Sequence, residues 1–162
     1  VLSLASELGF LCPNLADRTD ALGQRLAAQL ASAPAMRCPI HGDFSANQVL
    51  VTHDGVAIID LDWACCGDPA DDLGNCIAQV ECLALSGELS PGRVELVRDA
   101  LLEGYAHAAN RPPPERIGLY RAVKVFRRAR FPFRTREPDW ARRTAFLLER
   151  AEAILNTVRS SA

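Results

Sequence analysis

Residues 38–51 read CPIHGDFSANQVLV, and residues 56–62 read VAIIDLD. Between these two stretches the dipeptide Asp54-Gly55 separates two apolar runs, which is a strong local signal for a β-hairpin. The first apolar run follows a polar loop that carries Asp43, and the second run ends at Asp60. The hairpin therefore predicts that two carboxylates lie close together, that of Asp43 on a loop and that of Asp60 at the end of a strand.

A pair of carboxylates in this arrangement suits phosphoryl transfer. One carboxylate can accept the proton of the attacking hydroxyl, while the other holds a magnesium ion on the phosphates. A solvated polar loop would by itself explain Asp43. It would not explain Asp60, because an acid that closes an apolar strand is costly unless something pairs with it. The pattern favours a phosphotransferase site over a plain hairpin.

At these residues the chain resembles the aminoglycoside phosphotransferase and choline kinase superfamily, which is distantly related to the protein kinases. The shared pattern comprises His41-Gly42-Asp43, an amide at Gln48, Ile58-Ile59-Asp60 and Gly67-Asp68-Pro69. The resemblance is strongest over residues 38–75. It implies a mainly helical α+β fold, namely the large lobe of a protein-kinase-like enzyme, with a small β-hairpin that carries the catalytic and metal-binding loops.

The resemblance also implies roles for individual residues. Asp43 would be the catalytic carboxylate, Asp60 would bind Mg²⁺, and ATP or GTP would be the phosphoryl donor. Members of the superfamily usually carry Asn five residues after the catalytic Asp, whereas this chain has Gln48 there with Asn47 beside it. We expect Gln48 to be the second metal ligand, because its carbonyl is the same donor on a longer stem, and Asn47 to be the reserve.

Three further residues are candidates for support of the site or for contact with the acceptor. We expect His41 to pack and hydrogen-bond within the loop rather than to transfer protons. Asp62 could assist the metal or face the acceptor, or it could be a solvated carboxylate at the strand end. Asp71 or Asp72 suits the N-cap of a helix that begins near Leu73, and we expect Asp72 in that role. Asp68 could support the catalytic loop or contact the acceptor.

Acidic residues are concentrated around the same site. No Lys or Arg lies between Arg37 and Arg93. Residues 1–110 carry 15 acidic and 5 basic residues, whereas residues 111–162 carry 5 acidic and 13 basic residues. An acidic patch attracts Mg²⁺ and could attract a cationic acceptor, such as an amine-bearing sugar or a choline-like head group. The acidic and basic parts could also simply face each other, and both interpretations stay open.

Other partner classes fit the sequence less well. The basic and aromatic stretch 120–136 could bind nucleic acid, but its apolar residues fall near helical spacing and the net charge of the chain is −2. We therefore predict an amphipathic helix with a solvated basic face and no nucleic-acid partner. We expect no membrane partner either, because no apolar run approaches the length that spans a bilayer.

The six cysteines show no paired extracellular spacing. We expect reduced, mostly buried thiols in a cytoplasmic protein. A zinc site built from Cys38, His41 and Cys65 can be drawn, but no second Cys-x-x-Cys or His pair supports it.

Helical signals dominate outside the hairpin. We expect helices over residues 17–32, 72–86, from Ser90-Pro91 through Tyr105, 115–130 and 139–158, with an interruption at Phe131-Pro132-Phe133. The length and the 49% hydrophobic content fit one domain over residues 1–162. No Gly-rich phosphate loop of the G-x-G-x-x-G type is present. We therefore expect the carboxy-terminal catalytic lobe alone, without the amino-terminal lobe that grips the nucleotide.

The sequence thus predicts the catalytic lobe of a phosphotransferase that phosphorylates a hydroxyl of a small molecule and is inactive alone. A non-catalytic kinase-like binding domain is the alternative. Gln48 and the absent lobe favour that alternative, and Asp43 and Asp60 oppose it. A magnesium-dependent phosphohydrolase would need a residue that positions a water molecule, and no sequence feature indicates one.

Overall fold

The computed structural model describes residues 1–32 and 36–160. In chain order the elements are α1 (Leu2–Leu11), α2 (Ala16–Ser32), β1 (Cys38–Ile40), β2 (Val49–Thr52), β3 (Gly55–Ile58), β4 (Cys65–Gly67), α3 (Pro69–Leu85), α4 (Pro91–Ala109), α5 (Ile117–Arg128), α6 (Phe131–Arg134) and α7 (Trp140–Ser160). The fold is mainly helical with small antiparallel sheets, so the predicted fold class is confirmed.

The chain divides into two compact units, and the single domain expected over residues 1–162 stays a prediction. Unit 1 comprises Val1–Pro34 and Arg121–Ala162, and unit 2 comprises Ala35–Tyr120. In unit 1, α1 and α2 pack closely, because Gly23 leaves room where a Cβ would lie 2.7 Å from the Cβ of Ala5. Helix α7 is tied to α2 by an ion pair of 2.8 Å between Arg18 Nη2 and Glu152 Oε2.

Helix α5 is amphipathic, as expected, but most of its basic side chains are not exposed. Residues 122–126 are all buried, and they include Lys124, the one lysine of the sequence. Of the basic residues in α5, only Arg127 is exposed. The prediction of a solvated basic face was therefore wrong. Arg128 Nη1 donates a hydrogen bond of 3.3 Å to the carbonyl of Lys124, and contacts of this kind compensate for the burial of a charged group.

Unit 2 contains the predicted hairpin. Strands β2 and β3 pair antiparallel, with Val49 opposite Ile58 and Thr52 opposite Gly55. A second antiparallel pair joins β1 to β4, with Ile40 opposite Cys65. This second pair was not predicted, because each of its strands has only three residues. Together the two pairs place the His-Gly-Asp loop after β1 and Asp60 after β3.

The hairpin exposes its apolar side chains. Seven large apolar residues of the hairpin and the segment that follows it, each between 42% and 77% exposed, form what we call the apolar strip: Leu50, Val51, Val56, Ile58, Ile59, Leu61 and Trp63. Exposed apolar surface on this scale is typical of a face that another element covers. Across residues 1–32 and 36–160, no helix has the length and apolar character needed to cross a lipid bilayer.

Helix α3 begins earlier than predicted. Its first residue is Pro69, and its N-cap is Asp68, whose side chain accepts a hydrogen bond of 2.9 Å from Ala70 N. Proline suits the first helical position, because its fixed φ matches the helix and its missing N–H would have no partner there. The expected start near Leu73, with Asp72 as the cap, was therefore wrong. Asp72 lies inside the first turn, so its carboxylate does not cap the helix and can accept hydrogen bonds from another segment.

Candidate active site

Asp72 fixes the backbone of the His-Gly-Asp loop. Its Oδ2 accepts a hydrogen bond of 2.7 Å from His41 N, and its Oδ1 accepts hydrogen bonds from Gly42 N at 2.9 Å and Phe44 N at 3.3 Å. One carboxylate thus serves three backbone N–H groups on either side of Asp43. Hydrogen bonds to a charged acceptor are stronger than neutral ones, so this contact sets the shape of the loop.

Asn75 holds the side chain of Asp43 itself. The Nδ2 of Asn75 donates to Asp43 Oδ1 at 3.1 Å and to the carbonyl of Phe44 at 2.9 Å. Asn75 is 3% exposed, whereas Asp43 is exposed. The buried amide therefore orients the carboxylate from below and leaves its outer side open to an incoming molecule.

Gln79 completes the support of the loop. Its Oε1 accepts a hydrogen bond of 2.8 Å from Ala46 N. Asp72, Asn75 and Gln79 are three and four residues apart, so they lie on one face of α3. The sequence reasoning missed Asn75 and Gln79. The signal that could have found them is their helical spacing as polar residues in an otherwise apolar helix.

Gly42 allows the loop to approach the segment after β3. Its φ is +84°, and a Cβ at this position would lie 2.2 Å from the carbonyl oxygen of Trp63. Any other residue would be strained in this conformation and would also collide with backbone. This glycine therefore brings the loop of Asp43 next to the segment that carries Asp60.

His41 joins the loop to the same segment. Its ring is buried, and its Nε2 lies 2.9 Å from the carbonyl oxygen of Ile59. A carbonyl can only accept, so Nε2 carries the proton. The ring also contacts Phe44 edge-on, with 5.9 Å between the ring centroids. His41 thus packs and hydrogen-bonds next to Asp60. Its hydrogen bond reaches Ile59, outside the loop within which it was expected to bond.

Asp60 has an unusual backbone conformation. Its φ of 66° and ψ of 55° lie in the left-handed region, which residues other than glycine seldom adopt. Such a conformation costs on the order of 1–3 kcal/mol and is concentrated at functional sites. The preceding residue, Ile59, donates its N–H to the carbonyl of Gln48 at 3.0 Å. This bond continues the pairing of the hairpin up to Asp60, and the left-handed conformation of Asp60 ends the extended backbone there.

Gln48 lies beside Asp60. Its Nε2 is 3.4 Å from Asp60 Oδ2, and its Oε1 accepts a hydrogen bond of 2.8 Å from the hydroxyl of Ser45. Asn47, the reserve ligand, is exposed, and its side chain makes no hydrogen bond within residues 1–32 and 36–160. A carboxylate and an amide oxygen are oxygen donors of the kind that Mg²⁺ takes from proteins, one or two at a time. Asp60 and Gln48 therefore fit a magnesium site.

Larger metal clusters do not occur in the described residues. Within residues 1–32 and 36–160, no three His, Cys, Asp or Glu side chains are grouped so that they could hold a metal ion. The zinc site considered from Cys38, His41 and Cys65 thus lacks support. Asp62 is exposed and lies in a short 3₁₀ turn, Leu61–Trp63, directly after Asp60.

Asp68 is engaged elsewhere in unit 2. Besides capping α3 with Oδ1, it forms a buried ion pair of 3.2 Å through Oδ2 with Nη1 of Arg116. Both oxygens are used in these contacts, and Asp68 is 6% exposed. Support of the loop, one of the two possible roles of Asp68, comes from Asp72 instead. Arg116 also lies over the ring of Tyr120, and burial together with the charge of Asp68 raises the pKa of that phenol.

The mainly helical fold, in which the loop of Asp43 lies next to the segment that carries Asp60, is that of a kinase-like helical lobe. The model of the phosphotransferase enzyme family matches residues 5–120, which is more than half of the chain. The chain therefore belongs to the phosphotransferase enzyme family, and the family resemblance predicted from the sequence is confirmed. No curated protein matches the chain.

A solved structure has a similar fold. The apo form of a thermostable mutant of aminoglycoside phosphotransferase APH(4)-Ia aligns with a TM-score of 0.53 and 22% sequence identity. The alignment covers 87% of this chain and 43% of that chain. This chain thus spans less than half the length of its structural relative, and at this identity the likeness shows the fold alone.

Proposed function

We propose that this chain is the catalytic lobe of a phosphotransferase that moves the terminal phosphoryl group of ATP or GTP to a hydroxyl of a small molecule. The observation that carries the proposal is the support of Asp43. A buried amide orients its carboxylate, in a loop whose backbone one face of α3 fixes at four N–H groups. Catalysis of phosphoryl transfer depends chiefly on positioning and charge neutralisation.

In the proposed reaction Asp43 orients the acceptor hydroxyl and accepts its proton as the oxygen attacks the phosphorus. Asn75 keeps one carboxylate oxygen in place, so the outer side of the exposed carboxylate faces the acceptor. Asp60 and Gln48, with Asn47 in reserve, would hold Mg²⁺. When bound, the metal neutralises charge on the phosphates.

The apolar strip supports the proposal that a nucleotide-gripping lobe completes the enzyme. The strip includes both sequence neighbours of Asp60, namely Ile59 and Leu61. Alignment with only 43% of the structural relative is consistent with a further lobe in the complete protein. We propose that this amino-terminal lobe covers the strip, and that the chain transfers no phosphate without it.

A cationic acceptor suits the charge of unit 2. Residues 35–120 carry 13 acidic and 5 basic residues. Three of the acids, Asp43, Asp60 and Asp62, are exposed on the loop and on the segment that the site brings together. Such a cluster favours an acceptor with amine groups, in the manner of an aminoglycoside or choline.

The proposed location is the cytoplasm, because all six cysteines are free thiols and Cys65 and Cys66 are exposed.

The test is a transfer assay with the complete enzyme, in which the nucleotide lobe accompanies this chain. Radiolabelled ATP or GTP is incubated with Mg²⁺ and with pairs of acceptors that differ only in whether an amine or a neutral group lies near the hydroxyl. We expect label on the amine-bearing member of each pair. Nucleotide binding without transfer to any acceptor would favour the non-catalytic binding domain. Release of free phosphate alone would favour a phosphohydrolase.

A further inference from the structure

The hydroxyl of Ser45 is the third member of a short chain of contacts at the proposed metal site. It donates to Gln48 Oε1 at 2.8 Å, and Gln48 Nε2 lies 3.4 Å from Asp60 Oδ2. Ser45 is buried, whereas Asp60 is exposed. The amide of Gln48 therefore bridges a buried hydroxyl on one side and an exposed carboxylate on the other.

Chemistry fixes which end of the amide faces the carboxylate. An ionised carboxylate only accepts hydrogen bonds, so without a cation Gln48 must present its nitrogen to Asp60 and its oxygen to Ser45. Magnesium takes oxygen ligands and no amide nitrogen. The orientation seen in the structure is thus the opposite of the one in which Gln48 can bind the metal.

We infer that Ser45 is a positioning residue that lets the Gln48 amide reverse when Mg²⁺ binds. This inference rests on the proposed function, since it takes Gln48 and Asp60 as the metal site. A hydroxyl both donates and accepts. Ser45 donates to the amide oxygen in the metal-free state and accepts from the amide nitrogen after the reversal. One buried side chain thereby satisfies the amide in both states.

The local backbone allows this reversal. Residues 45–48 read SANQ, which has the spacing of a capping box. Ser45 nevertheless caps no backbone N–H, and its side chain bonds the Gln48 side chain instead. The 3₁₀ turn Ala46–Gln48 is held separately, by a hydrogen bond of 3.1 Å from Gln48 N to Ser45 O. The amide can therefore turn about its terminal bond while the turn stays intact.

The experiment is a Mg²⁺ titration of the isotopically labelled 162-residue chain, followed by NMR. The signals of interest are the carboxylate carbon of Asp60 and the side-chain carbonyl carbon and NH₂ group of Gln48. We expect all three to move together with one dissociation constant. The NH₂ groups of Asn75 and Gln79 serve as internal controls and should stay in place, because these side chains hydrogen-bond to Asp43, Phe44 and Ala46 and not to Gln48 or Asp60.

Two variants separate positioning from packing. Ser45→Ala removes the hydroxyl and should weaken Mg²⁺ binding about 10–100-fold, the usual loss for a residue that orients a metal ligand. Ser45→Thr keeps the hydroxyl and should bind Mg²⁺ nearly as the unchanged chain does. Unshifted backbone amides in α3 show that each variant is folded. If Ser45→Ala does not fold, the Gln48 signals of the unchanged chain and of Ser45→Thr decide.

Each outcome has a distinct meaning. A response at Asp60 with unmoved Gln48 signals, or equal affinity in Ser45→Ala and the unchanged chain, would overturn the role of Ser45 and leave the metal site standing. No response at Asp60 would overturn the magnesium assignment in the proposed function, and the role of Ser45 with it. Coupled movement of Asp60 and Gln48, lost in Ser45→Ala and kept in Ser45→Thr, would support both.

Discussion

The catalytic loop and the hairpin lie side by side in unit 2, and they are stabilised in opposite ways. The loop over residues 41–46 is bound to α3 through Asp72, Asn75 and Gln79, which satisfy its backbone and orient Asp43. The hairpin and the segment after it expose the apolar strip, in which Val51 is 77% exposed. The loop has its supports in α3, whereas the hairpin presents a surface that nothing in residues 1–32 and 36–160 covers.

This difference indicates which parts of the proposed reaction lie in the chain. In that proposal Asp43 orients the acceptor, and its supports Asp72, Asn75 and Gln79 are all in unit 2. The proposed orientation of the nucleotide involves the face of the hairpin, where Asp60, Gln48 and exposed apolar side chains lie. We therefore expect substitutions in the loop to act on catalysis and folding, and substitutions on the apolar strip to act mainly in the complete enzyme.

The largest expected effect is that of Asp43→Asn in the complete enzyme. The change keeps the size of the side chain and removes the proton acceptor, so kcat should fall roughly 10²–10⁴-fold while the melting temperature stays nearly unchanged. Asp54→Asn, at the exposed tip of the hairpin, is the matched control and should keep full activity. A kcat for Asp43→Asn close to that of the unchanged enzyme would remove Asp43 from the role of base.

Asp72→Ala should affect folding as well as catalysis. It leaves the N–H groups of His41, Gly42 and Phe44 without their acceptor. The free energy of unfolding of the 162-residue chain should fall by roughly 1–3 kcal/mol, as measured by urea denaturation. Asp62→Asn changes an exposed carboxylate nearby and should alter the stability by less than about 0.5 kcal/mol. Equal stability losses in the two variants would contradict the proposal that Asp72 holds the loop.

Magnesium should distinguish the two candidate amide ligands. Gln48→Ala should raise the Mg²⁺ concentration that gives half-maximal activity of the complete enzyme roughly tenfold or more, because Gln48 lies beside Asp60. Asn47→Ala should have a mild effect, since Asn47 is exposed. Titration of both variants with Mg²⁺ measures this. The reverse order would assign the ligand to Asn47, and two insensitive variants would favour a non-catalytic domain.

The smallest expected effect lies in the hairpin. Val51→Thr should change the stability of the 162-residue chain by less than about 0.5 kcal/mol, because the side chain is already exposed to water. Val80→Thr in α3 is the matched substitution at a buried position, and it should cost about 1–3 kcal/mol. In the complete enzyme Val51→Thr should cost more than in the isolated chain. An unchanged cost there would mean that no lobe covers the strip.

Local signals predicted the elements that depend on local physics. The dipeptide Asp54-Gly55 between apolar runs predicted the hairpin, and Ser90-Pro91 predicted the start of α4. Helix α2 was also predicted within one residue of its observed start at Ala16, from the spacing of its leucines. Helix α1, by contrast, is apolar without clear periodicity and was missed.

Contacts between distant parts of the sequence could not be predicted in the same way. The bond between Asn75 and Asp43 joins residues 32 apart, so it exists only once α3 has packed against the loop. The short strands β1 and β4 pair across a similar distance. Asp68 and Asp72 exchanged their expected tasks because Pro69 starts the helix four residues early. The interruption expected at Phe131-Pro132-Phe133 separates α5 from α7, and its residues form one short helix, Phe131–Arg134.

The most direct test of the central claim compares phosphoryl transfer by the 162-residue chain alone with transfer by the complete enzyme. Both are assayed at equal concentration with ATP or GTP, Mg²⁺ and an acceptor that the complete enzyme uses. In the proposal the preformed loop supplies the carboxylate, but nothing in the described part of the chain covers the apolar strip, where the nucleotide-gripping lobe would pack. We predict turnover by the complete enzyme and none above background by the chain alone. Robust turnover by the purified chain would contradict this account.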